Sequence, residues 1–175
     1  NIAVEAALTV GTTNGGTSAA FGYAADASAK SIAAAINTNA ASQGVTATAT
    51  NSATLSSLSI AGTVSFTLGG TSTAAISAAV TDPTDLTALV SAINGAAGTT
   101  GITAIFTSTS AKNSITLTSS DGSNITVQNF LNTIGTTATT DADTIAFSGV
   151  TLGDDSDLTV DSSTKIGSVS LASSK

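Results

Sequence analysis

Residues 29–47, AKSIAAAINTNAASQGVTA, recur 57 positions later as residues 86–104, LTALVSAINGAAGTTGITA. The two stretches align without a gap, and Ile36 of the first Ile-Asn pair matches Ile93 of the second. In both stretches apolar residues fall at i, i+3, i+4, i+7 and i+11, which is the spacing of one face of an α-helix. A glycine then ends each helix, and the alternating residues after it predict a strand. Because a helix with one apolar face must pack on another element, we predict a helix-on-sheet unit that occurs twice.

The composition is poor in charge and in reactive side chains. The 175 residues include 11 acidic and 4 basic residues, no Cys and no His, and give a formal net charge of −7. This charge argues against nucleic acid, whose binding depends on Lys and Arg contacts to phosphate, and against electrostatic attachment to an anionic membrane. No apolar run is long enough to span a bilayer. Ala, Ser and Thr make up roughly half of the chain, so we predict a folded protein with a hydroxyl-rich surface.

The first predicted unit begins with a hairpin. Strict alternation of apolar residues predicts a strand over Ile2–Val10, followed by turn residues and a returning strand from Phe21. The helix is predicted over Asp26–Ser42, with Asp26 or Ser28 as its N-cap. The alternation that starts at Val45 predicts the strand after the helix.

The second predicted unit has the same order. Alternation predicts strands over Leu58–Leu68 and Ala74–Val80, joined by a turn at Gly69-Gly70. Asp82 as N-cap and Pro83 as the first helical residue predict a helix over Pro83–Ala97. Three further strands are predicted over Ile102–Phe106, Ser114–Thr118 and Ile125–Val127, with Asp121-Gly122 as the tight turn between the last two.

The predicted fold class is α+β, mostly antiparallel β, with two repeated ββαβ units that each pack one helix on a small sheet. The first unit covers residues 1–57 and the second residues 58–132. Residues 133–175 are interpreted as a linker, Thr133–Asp143, and returning strands that complete the sheets. Short strands are predicted at the apolar pairs Ile145/Phe147, Val150/Leu152, Leu158/Val160 and Val169/Leu171.

No pattern in the sequence predicts an enzyme. Without His or Cys, the common general bases and thiol nucleophiles are absent. Ser162 and Lys165 have the S-x-x-K spacing in which a Lys activates a Ser, but the companion S-D-N and K-T-G elements are missing. A chance match is the favoured interpretation in a chain this rich in Ser.

The acidic clusters do not fit a metal site. Asp154, Asp155, Asp157 and Asp161 are close in sequence, as in a calcium loop. Counted from Asp155, however, the sixth position is Val160 where Gly is required, and the twelfth is Ile166 where Glu is required. These residues, and the pair Asp141 and Asp143, are interpreted as solvated turns, and no metal or cofactor is predicted. The N-glycosylation sequon at Asn124 falls on a predicted strand and is disfavoured.

The repeated element, quoted as SIAAAINTNAASQGVTATAT and LVSAINGAAGTTGITAIFT, resembles the flagellin IN motif. That motif occurs in the central, surface-exposed region of bacterial flagellins and in filament cap proteins. Together with the hairpins before each helix, the resemblance covers roughly Ala7–Val127. It implies a structural, non-enzymatic protein, the outer domain of a filament subunit, located outside the cell in the flagellar filament.

The resemblance also implies partners and a modification. Flagellins join other flagellin subunits through long terminal helices, which are absent from this sequence, so the fragment is expected to be monomeric and to be the outer variable region alone. Some flagellins carry O-linked glycans on Ser and Thr. The candidate acceptors, which no motif ranks, are Thr12, Thr13, Thr17, Ser18, Thr71, Ser72, Thr73, Thr136, Thr137, Thr139 and Thr140.

Two alternative functions stay open at this point. A filament cap protein shares the motif and acts as a chaperone-like lid. A secreted adhesive or carbohydrate-binding module is a second alternative for a β-rich chain. Sugar sites usually need exposed aromatic rings, and aromatic residues make up only 3% of this sequence, which disfavours the second alternative.

Overall fold

A computed structural model describes residues 2–133, 143–153 and 160–174 of the chain. The chain forms two compact units. Unit 1 consists of Asn1–Asn51, Ser120–Ser123 and Ile166–Lys175, and unit 2 consists of Ser52–Ser119 and Asn124–Lys165. Each unit is therefore assembled from segments that are far apart in sequence.

The chain is mostly antiparallel β with few helices, which confirms the predicted α+β class. In unit 1 the described elements are β1 (Glu5–Leu8), β2 (Gly11–Thr12), β3 (Gly16–Thr17), β4 (Phe21–Tyr23), α1 (Ala29–Ala40), a short 3-10 helix (Ala41–Gln43) and β5 (Val45–Ser56), whose last residues enter unit 2. In unit 2 they are β6 (Gly62–Gly69), β7 (Thr73–Val80), α2 (Thr87–Gly95), α3 (Ala97–Thr100), β8 (Ile102–Phe106), β9 (Ser114–Ser119), β10 (Ile125–Thr133), β11 (Thr144–Phe147), β12 (Val150–Gly153) and β13 (Ser163–Lys165). Strand β14 (Ser168–Ser173) belongs to unit 1.

Unit 1 packs helix α1 against the strands before and after it. Strand β1 pairs with β4, and β14 pairs antiparallel with the first half of β5, from Ser168 opposite Thr50 to Ser173 opposite Val45. The buried face of α1 contributes Ala33, Ile36 and Ala40 to a core that also contains Phe21, Val45 and Ala47. Because three of these six side chains are alanine, the core of unit 1 is thin.

Helix α1 begins three residues later than Asp26, the first of the two predicted caps. Asp26 has a φ of 56°, in the left-handed region, and lies in a turn. Ser28 is the N-cap, and its hydroxyl accepts a hydrogen bond from the Ser31 amide at 3.2 Å. Ser28, the alternative cap of the prediction, is therefore the residue that starts the helix.

Unit 2 has a larger core that draws on two sheets and helix α2. One sheet has the strand order β13–β10–β6–β7, and the other has the order β12–β11–β5–β9–β8. The side chains with no exposed surface include Leu86, Leu89 and Ile93 from the helical region and aliphatic residues from both sheets. The predicted hairpin turn at Gly69-Gly70 is confirmed, since β6 and β7 pair in register from Gly62 opposite Val80 to Gly69 opposite Thr73.

The predicted start of helix α2 is wrong. The helix begins at Thr87, and Asp82 and Pro83 lie in a turn before it. The Asp82 carboxylate accepts the Thr84 amide at 2.8 Å, and the Asp85 carboxylate accepts the Thr87 amide at 2.9 Å. Each aspartate thus bonds the backbone two residues on, which turns the chain instead of starting a helix.

Three other sequence predictions need correction. The first strand does not alternate over Ile2–Val10, since its pairing is irregular between Glu5 and Leu8, and Val4 is 67% exposed. Leu58 is buried, but β6 begins only at Gly62. Asp121-Gly122 does not join a hairpin, because β9 and β10 lie in different sheets.

Strands lie at three of the four predicted apolar pairs near the end of the chain, whereas Val160 of the fourth pair lies outside any strand. Strands β11, β12 and β14 lie at the predicted apolar pairs, and β13 was not predicted. Leu158 lies outside the described residues, as does most of the predicted linker. No helix in the described ranges is long and apolar enough to cross a lipid bilayer.

Candidate functional site

The asparagine of each Ile-Asn pair joins its helix to the strand that follows. In unit 1 the Asn37 side-chain nitrogen donates to the Ala47 carbonyl at 2.8 Å, and the Ala47 amide donates to Asn37 Oδ1 at 2.7 Å. In unit 2 the same two bonds join Asn94 to Ala104, both at 2.8 Å. We call each pair of bonds an Ile-Asn clamp. A carboxamide can fill both roles because it carries a donor and an acceptor side by side.

The isoleucine of each pair faces the core while its asparagine faces the strand backbone. Ile36 is 4% exposed, and Ile93 is completely buried. Each alanine lies ten positions after its asparagine, and a glycine with positive φ turns the chain between them. Gly44 has a φ of 75° and Gly101 a φ of 71°, values that favour glycine because it lacks a Cβ. The left-handed glycine and the clamp together reverse the chain from helix to strand.

A hairpin turn closes each unit on the helix end. The carbonyl before Gly44 belongs to Gln43 and accepts the Thr12 hydroxyl at 3.0 Å. The carbonyl before Gly101 belongs to Thr100 and accepts the Thr71 amide at 2.8 Å. A glycine makes each approach possible. A Cβ would lie 2.3 Å from the Gln43 oxygen if built on Gly15, and 2.1 Å from the Thr100 oxygen if built on Gly70.

The two Ile-Asn pairs align in the sequence, but no role was predicted for their asparagines. The glycines of both hairpin turns were predicted to be turn residues only. The signal in the sequence is the recurrence of Asn near the end of a helix, where its intrinsic propensity is poor. Such a residue points to a side-chain contact with the backbone.

We expect removal of one clamp to destabilise its unit measurably. Asn37→Ala leaves the Ala47 amide and carbonyl without their side-chain partner, so the free energy of unfolding should fall by about 1–3 kcal/mol. The matched control is Asn39→Ala on the same helix, where the amide makes one local bond to the Ala35 carbonyl. Urea unfolding of both variants checks this. Equal losses in the two variants would contradict the role of the clamp.

We expect the turn glycine of unit 2 to reject any side chain. Gly70→Ala forces a Cβ against a backbone carbonyl and Ile102, and should lower the free energy of unfolding by about 1–3 kcal/mol. Gly95→Ala is the control, since nothing lies within 4 Å of its Cβ and alanine favours helix, so that variant should gain up to about 1 kcal/mol. Thermal unfolding of the two variants gives the comparison. A neutral Gly70→Ala would mean that the turn does not close on the helix end.

The candidate glycan acceptors differ in how available their hydroxyls are. Ser18 is buried, and its hydroxyl donates to the Ala19 carbonyl and accepts the Val10 amide. The Thr12 hydroxyl is half-buried and bonds Gln43 and Gly15. The exposed acceptors in and beside the two hairpin turns are Thr13, Thr17, Thr71, Ser72 and Thr73. Thr136, Thr137, Thr139 and Thr140 lie outside the described residues.

The S-x-x-K segment has structural contacts. The Ser162 hydroxyl donates to the Asp161 carboxylate at 2.8 Å and accepts the Asn129 amide at 3.1 Å. Residues 163–165 form β13, which pairs with β10. These bonds fix the entry to an edge strand.

The acidic residues give no metal cluster in the described ranges. No group of three or more acidic side chains could hold an ion there, and Asp141, Asp154, Asp155 and Asp157 lie outside those ranges. Hydrogen bonds from Thr84 hold the pKa of Asp82 below its usual range, and hydrogen bonds from Thr87 do the same for Asp85. Because both pKa values are lowered by folding, these carboxylates stabilise the fold above about pH 4, and the contribution is lost as the pH falls through the folded values.

Comparison with known proteins finds a family match over part of the chain. Residues 63–121 match the family described as the flagellin hook IN motif. This match contains the second Ile-Asn pair, and the first pair lies outside it. No curated protein matches the chain. Among solved structures, the flagellar cap protein FliD from Escherichia coli, domains D1-D2-D3, is similar with 13% identity and a TM-score of 0.31. That alignment covers 74% of this chain and 55% of the cap protein chain.

Proposed function

We propose that this chain, whose residues 63–121 match the flagellin hook IN motif, is the surface-exposed outer region of a bacterial flagellar filament subunit. One observation carries the proposal. The motif's Ile-Asn clamp occurs a second time outside the matched residues, with the same two bonds from Asn37 to Ala47. The chain is therefore interpreted as two helix-on-sheet units of one kind, built for structure and display, with no catalytic role.

The surface chemistry supports an exposed structural role. Exposed hydroxyls link neighbouring strands, as between Thr107 and Ser114 at 3.0 Å and between Thr126 and Thr164 at 3.2 Å. Two ion pairs among the described residues, Lys30–Asp121 and Lys112–Asp85, are both solvent-exposed. Exposed ion pairs are screened by salt and add little stability. A surface held by neutral hydroxyls would change little with ionic strength, which suits a domain displayed to the medium.

The same hydroxyls would serve glycan display. A glycosyltransferase needs an exposed acceptor. The residues in and beside the two hairpin turns that meet that condition are Thr13, Thr17, Thr71, Ser72 and Thr73. Ser18 does not, because it is buried and its hydroxyl is used in the fold. We therefore propose that O-glycans are attached to the exposed hydroxyls in and beside the two hairpin turns.

We expect the isolated chain to be monomeric in dilute solution. The net charge of −7 adds a modest repulsion between copies of the chain. Sedimentation at micromolar concentration is the measurement. A stable dimer would count against the outer-region proposal and would favour the cap or adhesive alternatives.

A deletion in the full-length gene tests the function. If these residues form the outer region of a filament subunit, cells without them should still assemble filaments, and those filaments should be thinner. Absent filaments, with unassembled flagellin in the medium, would indicate a cap protein instead. Filaments of unchanged diameter would exclude the chain from the filament surface.

A further inference from the structure

The two Ile-Asn clamps differ in the residue that follows the asparagine. Asn37 is followed by Thr38, whereas Asn94 is followed by Gly95. An Asn-Gly sequence is the most favourable one for spontaneous loss of the side-chain amide, because glycine has no Cβ to hinder attack by its own nitrogen. The described residues contain one other such sequence, Asn14-Gly15, in the turn between β2 and β3.

The reaction needs no enzyme and no oxidant. The backbone nitrogen of the glycine attacks the Cγ of the asparagine and forms a new C–N bond. The bond between Cγ and the side-chain nitrogen breaks, and the proton from the glycine nitrogen leaves with it as ammonia. Water then opens the cyclic imide at either carbonyl and gives aspartate or isoaspartate. One water is consumed and one ammonia released.

We propose that Asn94 is a latent site of this self-modification, shielded by its own clamp and reactive when helix α2 separates from strand β8. The two bonds to Ala104 fix the carboxamide on the strand, so that it is not free to turn towards the Gly95 nitrogen. Gly95 is also the last residue of α2, where its nitrogen is part of the helical hydrogen-bonding pattern. Asn94 is exposed to solvent, so the protection comes from its hydrogen bonds and not from burial.

The modification would prevent the clamp from closing again. The clamp requires Nδ2 of Asn94 as a donor to the Ala104 carbonyl. A carboxylate in its place has only acceptors, so two oxygens would face each other without a proton between them. Isoaspartate would in addition insert a methylene into the last turn of α2. If helix α2 separates from strand β8 for long enough, Asn94 would thus be converted irreversibly.

The first clamp lacks this chemistry. The branched Cβ of Thr38 hinders attack by its nitrogen, so an opening of α1 would leave Asn37 intact on the same time scale. Because only Asn94 is followed by glycine, we expect the conversion in unit 2 and not in unit 1.

Peptide mapping by mass spectrometry tests the proposal on the whole chain. The chain is incubated at mildly alkaline pH, in buffer and in denaturing urea, and the fraction of converted Asn94 is followed in each. We expect ready conversion in urea and slower conversion in buffer, by about tenfold for each 1.4 kcal/mol that holds the clamp closed. Asn14, in an exposed turn, is the internal reference and should show a smaller ratio between the two conditions.

Two variants make the result specific. Gly95→Ala should abolish conversion at Asn94 in urea without disturbing the clamp. Thr38→Gly should create a second shielded site at Asn37, slow in buffer and fast in urea. After urea treatment and refolding, the parent chain should unfold at a lower urea concentration than before, and Gly95→Ala treated in the same way should show a smaller loss.

Equal conversion of Asn94 in buffer and in urea would overturn the shielding. The shielding would also be overturned if the ratio of conversion in urea to conversion in buffer were no larger for Asn94 than for Asn14. Absence of conversion at Asn94 in urea would overturn the site itself.

Discussion

Replacement of Ile93 by alanine should lower the free energy of unfolding of unit 2 by about 2–5 kcal/mol, the range for truncating a buried aliphatic side chain. Ile93 has no exposed surface and belongs to the same core cluster as Leu89 and residues of both sheets of unit 2. The loss would be a large share of total stability, because a folded domain is stable by roughly 0.05–0.15 kcal/mol per residue.

The control for Ile93→Ala has to lie on the solvent face of α2. The sequence places Ala92 about 100° from Ile93 around the helix, which suggests Ala92→Ser as a neutral change. The structure corrects this choice, since Ala92 is only half exposed and packs against the core. Ala88 is exposed, and Ala88→Ser should cost only a few tenths of a kcal/mol through helix propensity. Urea midpoints that are equal for Ile93→Ala and the parent would rule out the helix-on-sheet core.

Deletion of residues 166–175 should unfold unit 1 while unit 2 keeps its fold. These residues include the whole of β14, which pairs with β5 from Val45 to Thr50. They also supply Val169 to the core of unit 1 and the Ser174 amide that donates to the Gly44 carbonyl at 2.9 Å. Backbone hydrogen bonds contribute about 0.5–1.5 kcal/mol each, so loss of a whole strand exceeds what a small, alanine-rich core can offset.

Hydrogen exchange measured by mass spectrometry separates the two units in the deletion variant. Amides of α1 and of the first half of β5 should lose protection, whereas amides of the β6–β7 hairpin should keep it. Leu171→Ala is the control, because this side chain is 56% exposed and a surface change of this kind has an effect within about 0.5 kcal/mol. Retained protection in α1 after the deletion would show that β14 is dispensable.

The sequence predicts the β6–β7 hairpin and the presence of both helices because the signals there are local. Period-2 alternation gives the β6–β7 hairpin, and 3.6-residue spacing gives both helices, since each pattern follows from which side chains must be buried. Sequence patterns do not predict the start of α2, because side chains there hydrogen-bond to the backbone. The carboxylates of Asp82 and Asp85 form turns before the helix.

The pairing of distant strands could not be predicted. Nothing local indicates that β14 pairs with β5, or that β13 extends the sheet of β10. These partners are set by the packing of whole sheets. The role of the two clamp asparagines could have been predicted. Asparagine has a poor helix propensity, so its recurrence at the same helical position indicates a tertiary contact. The close approach of Gly70 to Thr100 depends on the tertiary fold, and no pattern in the sequence indicates it.

Immunogold electron microscopy with antibodies raised against this chain tests the central claim most directly. On flagellated cells that express the full-length protein, we expect gold particles along the whole length of the filament. That distribution follows if every filament subunit displays these residues at its surface. Label confined to the filament tip, or found only on the cell body, would contradict the account.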